Sequence, residues 1–477
     1  MTTVFTSPLI GGDWRSRGAA TLAVGDPTTG GLLAEATTST VEDCRDAVQV
    51  AADALPAWRG TAPRERAEIL RRAFELMVEE KVAIAELVAA ENGKALQEAI
   101  GEVTYAAEFF RWFSEEAVRI GGEIRLAPAG DKQILVLPEA VGVCLLITPW
   151  NFPAAMATRK IGPSLAAGCT CVLKPAPETP LTAFYLADLL QRAGLPPGIV
   201  NVVLPEPPAE AVAAMLEHPA VRKLSFTGST GVGKHLLRMS ADRVLRTSME
   251  LGGNAPFLVL ADADVELAAD AALIAKMRNG GASCVAANRF YVHAGMAESF
   301  TGALSARMAA LRLGLQRERD ADVGALVTAA ERDKVASLVE RAVDDGASVR
   351  LGGHAPASPG WFYEPTVLGD VAPDAPVLAT EIFGPVAAIA TFEDEAEMIR
   401  MANSTEAGLM AYVMSGTLSH AFEVARQIEA GMVAVNRGVI SDPAAPFGGT
   451  KASGLGREGG FEGIEEYLER KYVGVSW

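Results

Sequence analysis

The spacing of hydrophobic positions along the chain changes near residue 140. Before that point, residues 64–91 repeat apolar side chains at the spacing of one helix face, at Ala67, Leu70, Phe74 and Met77. We predict one long amphipathic helix there, with Pro63 at its start. Further along, helical stretches separate four short apolar runs: Val141–Ile147, Cys171–Leu173, Ile199–Leu204 and Lys223–Phe226. Strand followed by helix, repeated, predicts an α/β fold with a parallel sheet.

A second alternating block covers about residues 255–435. It predicts a helix at Glu331–Asp345 and strands at Ala255–Leu260, Phe290–His293 and Met432–Asn436. Outside this block, Glu123–Glu139 alternates in the manner of a β-hairpin, and Tyr467–Trp477 predicts a further strand. Because chemistry in parallel sheets collects at the carboxyl ends of the strands, we expect the polar motifs of the chain at such ends.

Composition and net charge limit the classes of protein to which the chain can belong. The chain has 477 residues, of which 49% are hydrophobic and 21% charged, as in a globular enzyme. At ~150 residues per domain this length predicts two or three domains. A net charge of −17 argues against nucleic-acid and anionic-membrane partners. The amino-terminal residues do not resemble a signal peptide and no apolar run approaches a membrane span, so we expect a cytoplasmic protein.

Five cysteines occur, at Cys44, Cys144, Cys169, Cys171 and Cys284. Their odd number and irregular spacing predict free thiols in a reducing compartment. The cysteines and the five histidines show no zinc-ligand spacing, so we predict no metal site.

Two short segments carry the groups needed to oxidise an aldehyde. Cys284 closes the segment Arg278–Cys284, and Glu250 lies in Met249-Glu250-Leu251-Gly252-Gly253-Asn254. A thiolate adds to a carbonyl carbon, the adduct loses hydride, and a carboxylate can activate water against the resulting thioester. Taken alone, Cys284 would more often be a buried structural cysteine. The two segments together favour a catalytic role for Cys284.

A glycine-rich segment, Gly228–Lys234, nearly matches the phosphate loop of nucleoside-triphosphate enzymes. The next residue should be Ser or Thr to hold magnesium, but it is His235. The favoured alternative is a strand-to-helix turn whose helix start faces a dinucleotide pyrophosphate, with Gly228 and Ser229 in contact.

The order of the motifs resembles the aldehyde dehydrogenase superfamily along nearly the whole chain. Besides the cysteine and glutamate segments, five motifs carry the resemblance: Pro149–Pro153, Lys174–Ala176, Phe226–Ser229, Glu381–Pro385 and Pro446–Gly449. The resemblance implies a Rossmann-type cofactor domain at 1–122 and 141–250 and an α/β catalytic domain at 251–435. It also implies a small oligomerisation hairpin, from segments 123–140 and 460–477, and a homodimer or homotetramer.

The same resemblance implies a role for each matched residue. Cys284 would be the nucleophile and Glu250 the deacylating base, while the Asn151 amide and the Cys284 backbone N–H would form an oxyanion hole. Six residues would hold the nicotinamide coenzyme: Trp150, Lys174, Gly228, Ser229, Glu381 and Phe383. Lys160 and Glu458 match a proton-relay pair in relatives.

The sequence leaves the coenzyme as NAD or NADP. Three residues after Lys174, many NAD-preferring relatives carry a glutamate that repels a 2′-phosphate. This chain has Pro177 there and Glu178 one place later. Proline neither binds the ribose hydroxyl nor repels a phosphate.

A narrower resemblance is to succinate semialdehyde dehydrogenases, carried by residues 254–257, 276–279, 285–289 and 451–459. It implies that Arg159, Arg278 and Ser441 bind the distal carboxylate of the substrate. Arginine recognises a carboxylate with two parallel hydrogen bonds, although each arginine alone could equally form a structural ion pair.

Two departures from the relatives bear on the site. Arg437 and Asp442-Pro443 flank Ser441, and Arg437 could charge the pocket or pair with Asp442, which leaves a bulkier aldehyde or another semialdehyde open. Ala286 stands where many relatives have a second cysteine. We therefore expect peroxide to oxidise an exposed, low-pKa Cys284 thiolate without forming a neighbouring disulfide.

Two alternatives to this activity differ in chemistry. A CoA-acylating relative would not need the base Glu250, and a non-catalytic structural paralogue would be expected to lack Cys284, Asn151 or Glu250.

Overall fold

Two large sheets organise the computed structural model, which describes residues 5–316, 318 and 320–476. Residues 1–4 and 477, at the ends of two predicted segments, lie outside the described residues. The helices are α1 Val41–Gly60, α2 Pro63–Glu79, α3 Lys81–Asn92, α4 Leu96–Glu116, α5 Pro153–Ala167, α6 Pro180–Arg192, α7 Pro208–Glu217, α8 Thr230–Ala241, α9 Val265–Met277, α10 Ala297–Ala309, α11 Ala329–Asp344, α12 Pro376–Ala379, α13 Glu395–Asn403, α14 Leu418–Ala425 and α15 Glu462–Glu465.

The strands alternate with these helices over most of the chain. They are β1 Leu9–Ile10, β2 Asp13–Trp14, β3 Thr21–Asp26, β4 Gly31–Thr37, β5 Glu123–Leu126, β6 Gln133–Ala140, β7 Val143–Ile147, β8 Thr170–Lys174, β9 Val200–Val202, β10 Val221–Thr227, β11 Arg246–Glu250, β12 Ala255–Val259, β13 Ala287–His293, β14 Ser348–Leu351, β15 Thr366–Gly369, β16 Val386–Phe392, β17 Ala407–Gly408, β18 Met410–Met414, β19 Met432–Val435, β20 Thr450–Lys451, β21 Gly454–Leu455 and β22 Leu468–Val475.

The first sheet has the strand order β2-β1-β9-β8-β7-β10-β11-β21. Its central strands are parallel, and helices cover both faces, so every residue of β7 and β8 is buried. This explains why these strands are continuous apolar runs without alternation. All four strands predicted between residues 141 and 226 are present, with ends shifted by at most two residues.

The second sheet has the order β14-β15-β16-β13-β12-β18-β19 and is parallel except at β14. It contains the three strands predicted between residues 255 and 436, and α11 is the predicted helix. Its buried aromatic core packs Phe257 against Phe290 and Tyr412, with ring centroids 5.2 and 5.6 Å apart. The fold is therefore the predicted α/β architecture.

The predicted hairpin forms as β5 and β6, and β22 adds to it in the order β22-β6-β5. All four residues of β5 are exposed, including Ile124 and Leu126 at 74% and 60%. The outer edge of β5 has no strand partner within the described residues.

The single long helix predicted at 64–91 is wrong, because the chain bends at Glu80 between α2 and α3. Glu80 has a ψ of 11°, outside the α-helical region, and its carboxylate accepts hydrogen bonds from Tyr185 (2.7 Å) and Arg192 on α6. A tertiary contact therefore sets the bend. The predicted buried face is otherwise present, since Ala67, Leu70 and Met77 are buried and Phe74 is half-buried.

Candidate active site

A cavity of about 220 Å³ lies between the two sheets. Ten of the predicted site residues line it: Trp150, Asn151, Arg159, Gly228, Ser229, Arg278, Cys284, Glu381, Phe383 and Ser441. Among the described residues, predicted Glu250 and Lys174 do not line it. The fold thus brings residues separated by nearly 300 positions to one place.

The expectation that the motifs lie at the carboxyl ends of strands holds for the first sheet only. Asn151 follows β7, Gly228 follows β10, and Glu250 ends β11. Cys284 and Glu381, in contrast, precede β13 and β16, at the amino ends of strands in the second sheet. The reason is that the carboxyl edge of one sheet faces the amino edge of the other across the cavity.

The paired glycines after Glu250 let the two sheets approach. A Cβ on Gly253 would lie 2.0 Å from the carbonyl oxygen of Cys284, and one on Gly252 would lie 2.9 Å from Glu381 Oε2. The Gly253 N–H also donates to Glu381 Oε1 at 3.0 Å. Larger residues here would push the nucleophile loop away from the first sheet.

Cys284 is partly buried, and all five cysteines are free, as predicted. Burial, followed by the nearby carboxylates of Glu381 and Glu250, raises the pKa of the Cys284 thiol to about 12, against an opposing effect of Arg159. The expectation of an exposed thiolate with a low pKa is therefore wrong. The low dielectric around the thiol and the two neighbouring carboxylates raise its pKa more than the Arg159 guanidinium lowers it.

The Asn151 side chain is oriented toward the nucleophile loop. Its Nδ2 donates to the carbonyl oxygen of Ala282 at 3.2 Å, two residues before Cys284. That bond uses one of the two amide hydrogens and leaves the other available to a substrate oxygen. Asn151 itself is buried, so a hydrogen bond from this donor would act in a water-poor environment.

Glu250 is a buried carboxylate behind the cavity. Neither of its oxygens has a hydrogen-bond partner among the described residues. Burial, and then repulsion by Glu458, raises the pKa of Glu250 well above that of a free glutamate, although Arg159, Lys160 and Arg457 act against the rise. A carboxylate with a raised pKa is a stronger base when it is deprotonated.

Glu458 joins the two basic side chains next to Glu250. Lys160 Nζ lies 2.5 Å from Glu458 Oε1 and 3.0 Å from Ser225 Oγ, and Arg159 Nη1 lies 3.5 Å from Glu458 Oε2. Burial alone would raise the pKa of Glu458, but Lys160 and Arg159 lower it overall. The predicted Lys160–Glu458 pair is therefore in contact.

The two predicted substrate arginines differ in their surroundings. Arg278 Nη1 donates to Ser441 Oγ at 3.1 Å, and the described residues provide no carboxylate within ion-pair distance of it. Arg159 instead pairs with Glu458 and donates to the Tyr105 hydroxyl at 2.7 Å. Arg278 is thus the freer of the two charges in the cavity.

Tyr105 is a cavity residue that the sequence reasoning missed. Its ring lies 5.7 Å from the guanidinium carbons of both Arg159 and Arg278. Glu331 and Lys334 on α11 also line the cavity and were missed. No motif surrounds these residues, since they reach the site from helices far away in sequence.

The side of the cavity near α8 has features that fit a dinucleotide. Ser229 caps α8, accepting from the Val232 N–H at 3.4 Å, and Gly228 precedes it. Trp150 and Phe383 meet edge to face with ring centroids 5.3 Å apart. A helix start with free backbone N–H groups beside an aromatic pair suits a pyrophosphate and a planar ring.

The phosphate-loop alternative fails on backbone conformation. Residues Gly231, Gly233 and Lys234 already lie within α8, which begins at Thr230. Their N–H groups face along the helix and cannot wrap a phosphate as a loop would.

Three residues that bear on the coenzyme or the pocket lie apart from the cavity: Lys174, Arg437 and Asp442. Lys174 is buried, donates to the carbonyl of Pro175 at 2.9 Å, and has a pKa lowered by burial.

Arg437 donates to the carbonyl of Val439 at 2.8 Å, while Asp442 accepts from the Ala444 N–H. In the described part of the chain no ion pair joins Arg437 to Asp442, and neither lines the cavity.

No helix in the described ranges is both long and apolar enough to cross a bilayer. The described residues also hold no group of three His, Cys, Asp or Glu side chains placed to bind a metal ion.

Comparison with known proteins places this geometry in a family. The profile of the Aldehyde dehydrogenase family matches residues 14–473. A succinate-semialdehyde dehydrogenase of Paenarthrobacter nicotinovorans is 51% identical over 445 residues, covering 93% of this chain and 99% of the relative. A glutarate-semialdehyde dehydrogenase of Pseudomonas aeruginosa is 48% identical over 453 residues, covering 95% and 94%. A crystal structure described as an E. coli NADP dependent enzyme has a TM-score of 0.98 and 44% identity, covering 99% of this chain and 98% of that one. The chain therefore belongs to the aldehyde dehydrogenase family.

Proposed function

We propose that the protein oxidises succinate semialdehyde to succinate with NAD⁺ or NADP⁺, through a thioester on Cys284. The observation that carries this proposal is the cavity of about 220 Å³ that holds Cys284 and Asn151 together with the Arg278–Ser441 pair. A small molecule with an aldehyde at one end and a carboxylate at the other matches both groups. The similarity to semialdehyde dehydrogenases supports the same substrate class.

The mechanism begins at the sulfur of Cys284. The partly exposed Cys284 thiol loses its proton to solvent. The resulting thiolate adds to the aldehyde carbon, and the Asn151 N–H together with the Cys284 backbone N–H stabilises the oxygen that becomes negative. The carbonyl then re-forms with loss of hydride, leaving a thioester on the sulfur. The coenzyme, when bound, is the acceptor of that hydride.

Hydrolysis completes the cycle. Glu250 takes a proton from water, the hydroxide attacks the thioester carbon, and succinate leaves as the sulfur departs. The raised pKa of Glu250 makes its deprotonated form a suitable base, and the neighbouring Lys160–Glu458 pair offers a route for the proton.

The distal carboxylate would bind mainly to Arg278 and Ser441. Arg278 has no carboxylate partner within ion-pair distance among the described residues, whereas Arg159 already pairs with Glu458. We therefore assign Arg159 a supporting role, which keeps Tyr105 and Glu458 in place around the substrate.

The coenzyme would lie along the α8 side of the cavity. Gly228 and Ser229 would face its pyrophosphate, Glu381 and Phe383 its nicotinamide half, and Lys174 its adenosine ribose. Burial raises the pKa of Glu381 to about 7, so this side chain can donate as well as accept hydrogen bonds near neutral pH.

The two sheets would divide these tasks. We assign most of the coenzyme contacts to the unit 1–122 with 141–250, and the nucleophile, with the nicotinamide contacts Glu381 and Phe383, to the unit 251–435. The β22-β6-β5 sheet would pair with a second copy of the chain in a homodimer or homotetramer, because the exposed Ile124 and Leu126 sit on its free edge. Light scattering of wild type and Ile124→Lys tests this, and a wild-type monomer would contradict it.

The experiment that tests the function is an initial-rate panel with both coenzymes. Succinate semialdehyde, glutarate semialdehyde, butyraldehyde and benzaldehyde would be compared by kcat/KM. We expect succinate semialdehyde to be the best substrate. A higher value for glutarate semialdehyde would change the chain length of the proposed substrate, whereas a higher value for benzaldehyde or butyraldehyde would overturn the semialdehyde assignment.

The same panel addresses the remaining alternatives. A CoA-acylating enzyme would need CoA for turnover, and a non-catalytic paralogue would reduce neither coenzyme. The buried, unpartnered Glu250 favours hydrolysis over acyl transfer to CoA.

A further inference from the structure

A buried hydrogen-bond network connects the turn that carries Asn151 to the loop that carries Cys284. Asn279 Nδ2 donates to the backbone oxygens of both Asn151 and Ala282, each at 2.9 Å. The Asn151 side chain donates to the same Ala282 oxygen at 3.2 Å. One side-chain amide thus connects the two segments that supply the donors of the proposed oxyanion hole.

The Asn151 turn is held from a second side by a buried ion pair. Lys94 Nζ donates to the Asn151 backbone oxygen at 2.7 Å and to Glu102 Oε2 at 2.5 Å. Both side chains are almost completely buried. The other carboxylate oxygen of Glu102 accepts from the Ala154 and Ala155 N–H groups at 2.8 and 3.2 Å, at the start of α5. The pair therefore fixes the turn and the following helix relative to each other.

Asn279 adopts a backbone conformation that suits this contact. Its φ is 57°, in the left-handed region, and its own N–H donates to Glu98 Oε2 at 3.2 Å. Asparagine tolerates this region better than most residues, and glycine tolerates it fully. A glycine substitution would therefore remove the bridging amide without forcing the backbone to change.

We propose that Lys94 and Asn279 are positioning residues that set the oxyanion hole by holding Asn151 and Ala282 in register. This inference rests on the proposed function, in which Asn151 and the Cys284 N–H stabilise the negative oxygen. Such donors act only at about 2.7–3.1 Å from the developing oxyanion, so displacement of either segment by part of an ångström weakens both. Neither Lys94 nor Asn279 lines the main cavity, which separates positioning from substrate contact.

The test compares two variants with a matched control. Asn279→Gly removes the bridge, and Lys94→Met combined with Glu102→Gln removes the ion pair without leaving a buried charge. Asn201→Ala is the control, because Asn201 is also a buried asparagine with three hydrogen-bond contacts, to Gly11, Cys171 and Gly198, but lines no part of the cavity.

Four quantities would be measured with succinate semialdehyde and NAD⁺ or NADP⁺, whichever the wild type prefers. They are the rate of the first turnover, the KM for the aldehyde, the Kd for the coenzyme, and the rate of Cys284 alkylation by iodoacetamide. Alkylation needs the thiol but no oxyanion hole. We expect the first-turnover rate to fall about ten- to hundredfold in both test variants, with the other three quantities within twofold of wild type. Asn201→Ala should retain the wild-type rate even if it is less stable.

Three outcomes would overturn the inference. The first is a first-turnover rate within twofold of wild type in both test variants. The second is a parallel fall in alkylation rate and coenzyme affinity, which would indicate general damage. The third is a wild type that reduces no coenzyme, which would overturn the proposed function as well, whereas the first two would leave it standing.

Discussion

The replacement of Arg278 by methionine tests substrate recognition most directly. The guanidinium donates to Ser441 Oγ at 3.1 Å and lies 5.2 Å from the Phe152 ring and 5.7 Å from the Tyr105 ring. Methionine keeps the unbranched stem that packs on these rings but removes the charge. The loss should therefore concern the carboxylate end of the substrate alone.

The magnitude follows from the kind of contact. A hydrogen bond to a charged group contributes roughly 1.5–3 kcal/mol, and since about 1.4 kcal/mol equals a factor of ten, kcat/KM for succinate semialdehyde should fall roughly ten- to 150-fold. Butyraldehyde has the same chain length without the carboxylate, so its kcat/KM should stay within about threefold, or rise because a half-buried charge has been removed from the apolar chain's path.

The assay is the initial rate of coenzyme reduction with both aldehydes, for wild type, Arg278→Met and Arg159→Met. Arg159→Met should slow both aldehydes, because it leaves Glu458 with one cation fewer beside Lys160 and disturbs the surroundings of Glu250. Equal losses for the two aldehydes in Arg278→Met would refute the reasoning, since they would show that Arg278 supports the fold of the site and does not recognise the carboxylate.

Four further predictions concern the proposed chemistry. Cys284→Ala should abolish dehydrogenation while coenzyme binding, measured by calorimetry, stays near wild type; residual turnover near wild type would contradict the nucleophile. Glu250→Gln should release a burst of reduced coenzyme and then stall as a thioester, and a linear slow phase without a burst would place Glu250 before hydride transfer. In the wild type, deacylation should speed up as pH rises through the raised pKa of Glu250, because only the deprotonated carboxylate accepts a proton from water, and stopped-flow rates across pH would check this. Because burial raises the pKa of Cys284 to about 12, peroxide should oxidise the coenzyme-free enzyme slowly, and faster at higher pH, to a sulfenic acid. We expect no disulfide, because Ala286 replaces the neighbouring cysteine and the four other thiols are buried. Mass spectrometry that found Cys284 bridged to another cysteine would contradict this.

Local patterns in the sequence predicted ten of the 22 strands in the described residues and the helix α11. Continuous apolar runs marked β7 and β8 because strands covered on both faces have little polar surface to display. The spacing of Ala67, Leu70 and Met77 likewise marked a buried helix face. The bend at Glu80 escaped prediction because no proline or glycine marks it and its cause lies on α6.

The side chains of the site were likewise predictable only in part from the sequence. The order of the motifs named the thiol, the amide and the carboxylate, and the glycines after Glu250 indicated a close approach. That these glycines lie against the Cys284 carbonyl and the Glu381 carboxylate follows only from the arrangement of the two sheets. Tyr105 and Lys94 reach the site from segments without a recognisable motif.

The sequence by itself determined the α/β alternation, the family and the identity of the chemical groups, because periodicity and residue type are local properties of the chain. Only the tertiary structure decided how those groups behave. It partly buried Cys284 and placed it near two carboxylates, which together raise its pKa. It also paired Arg159 with Glu458 and left Arg278 free to face the cavity. The charge state of each group and its availability to a substrate depend on burial and on neighbours brought from distant parts of the chain, since electrostatic interactions strengthen where water is excluded.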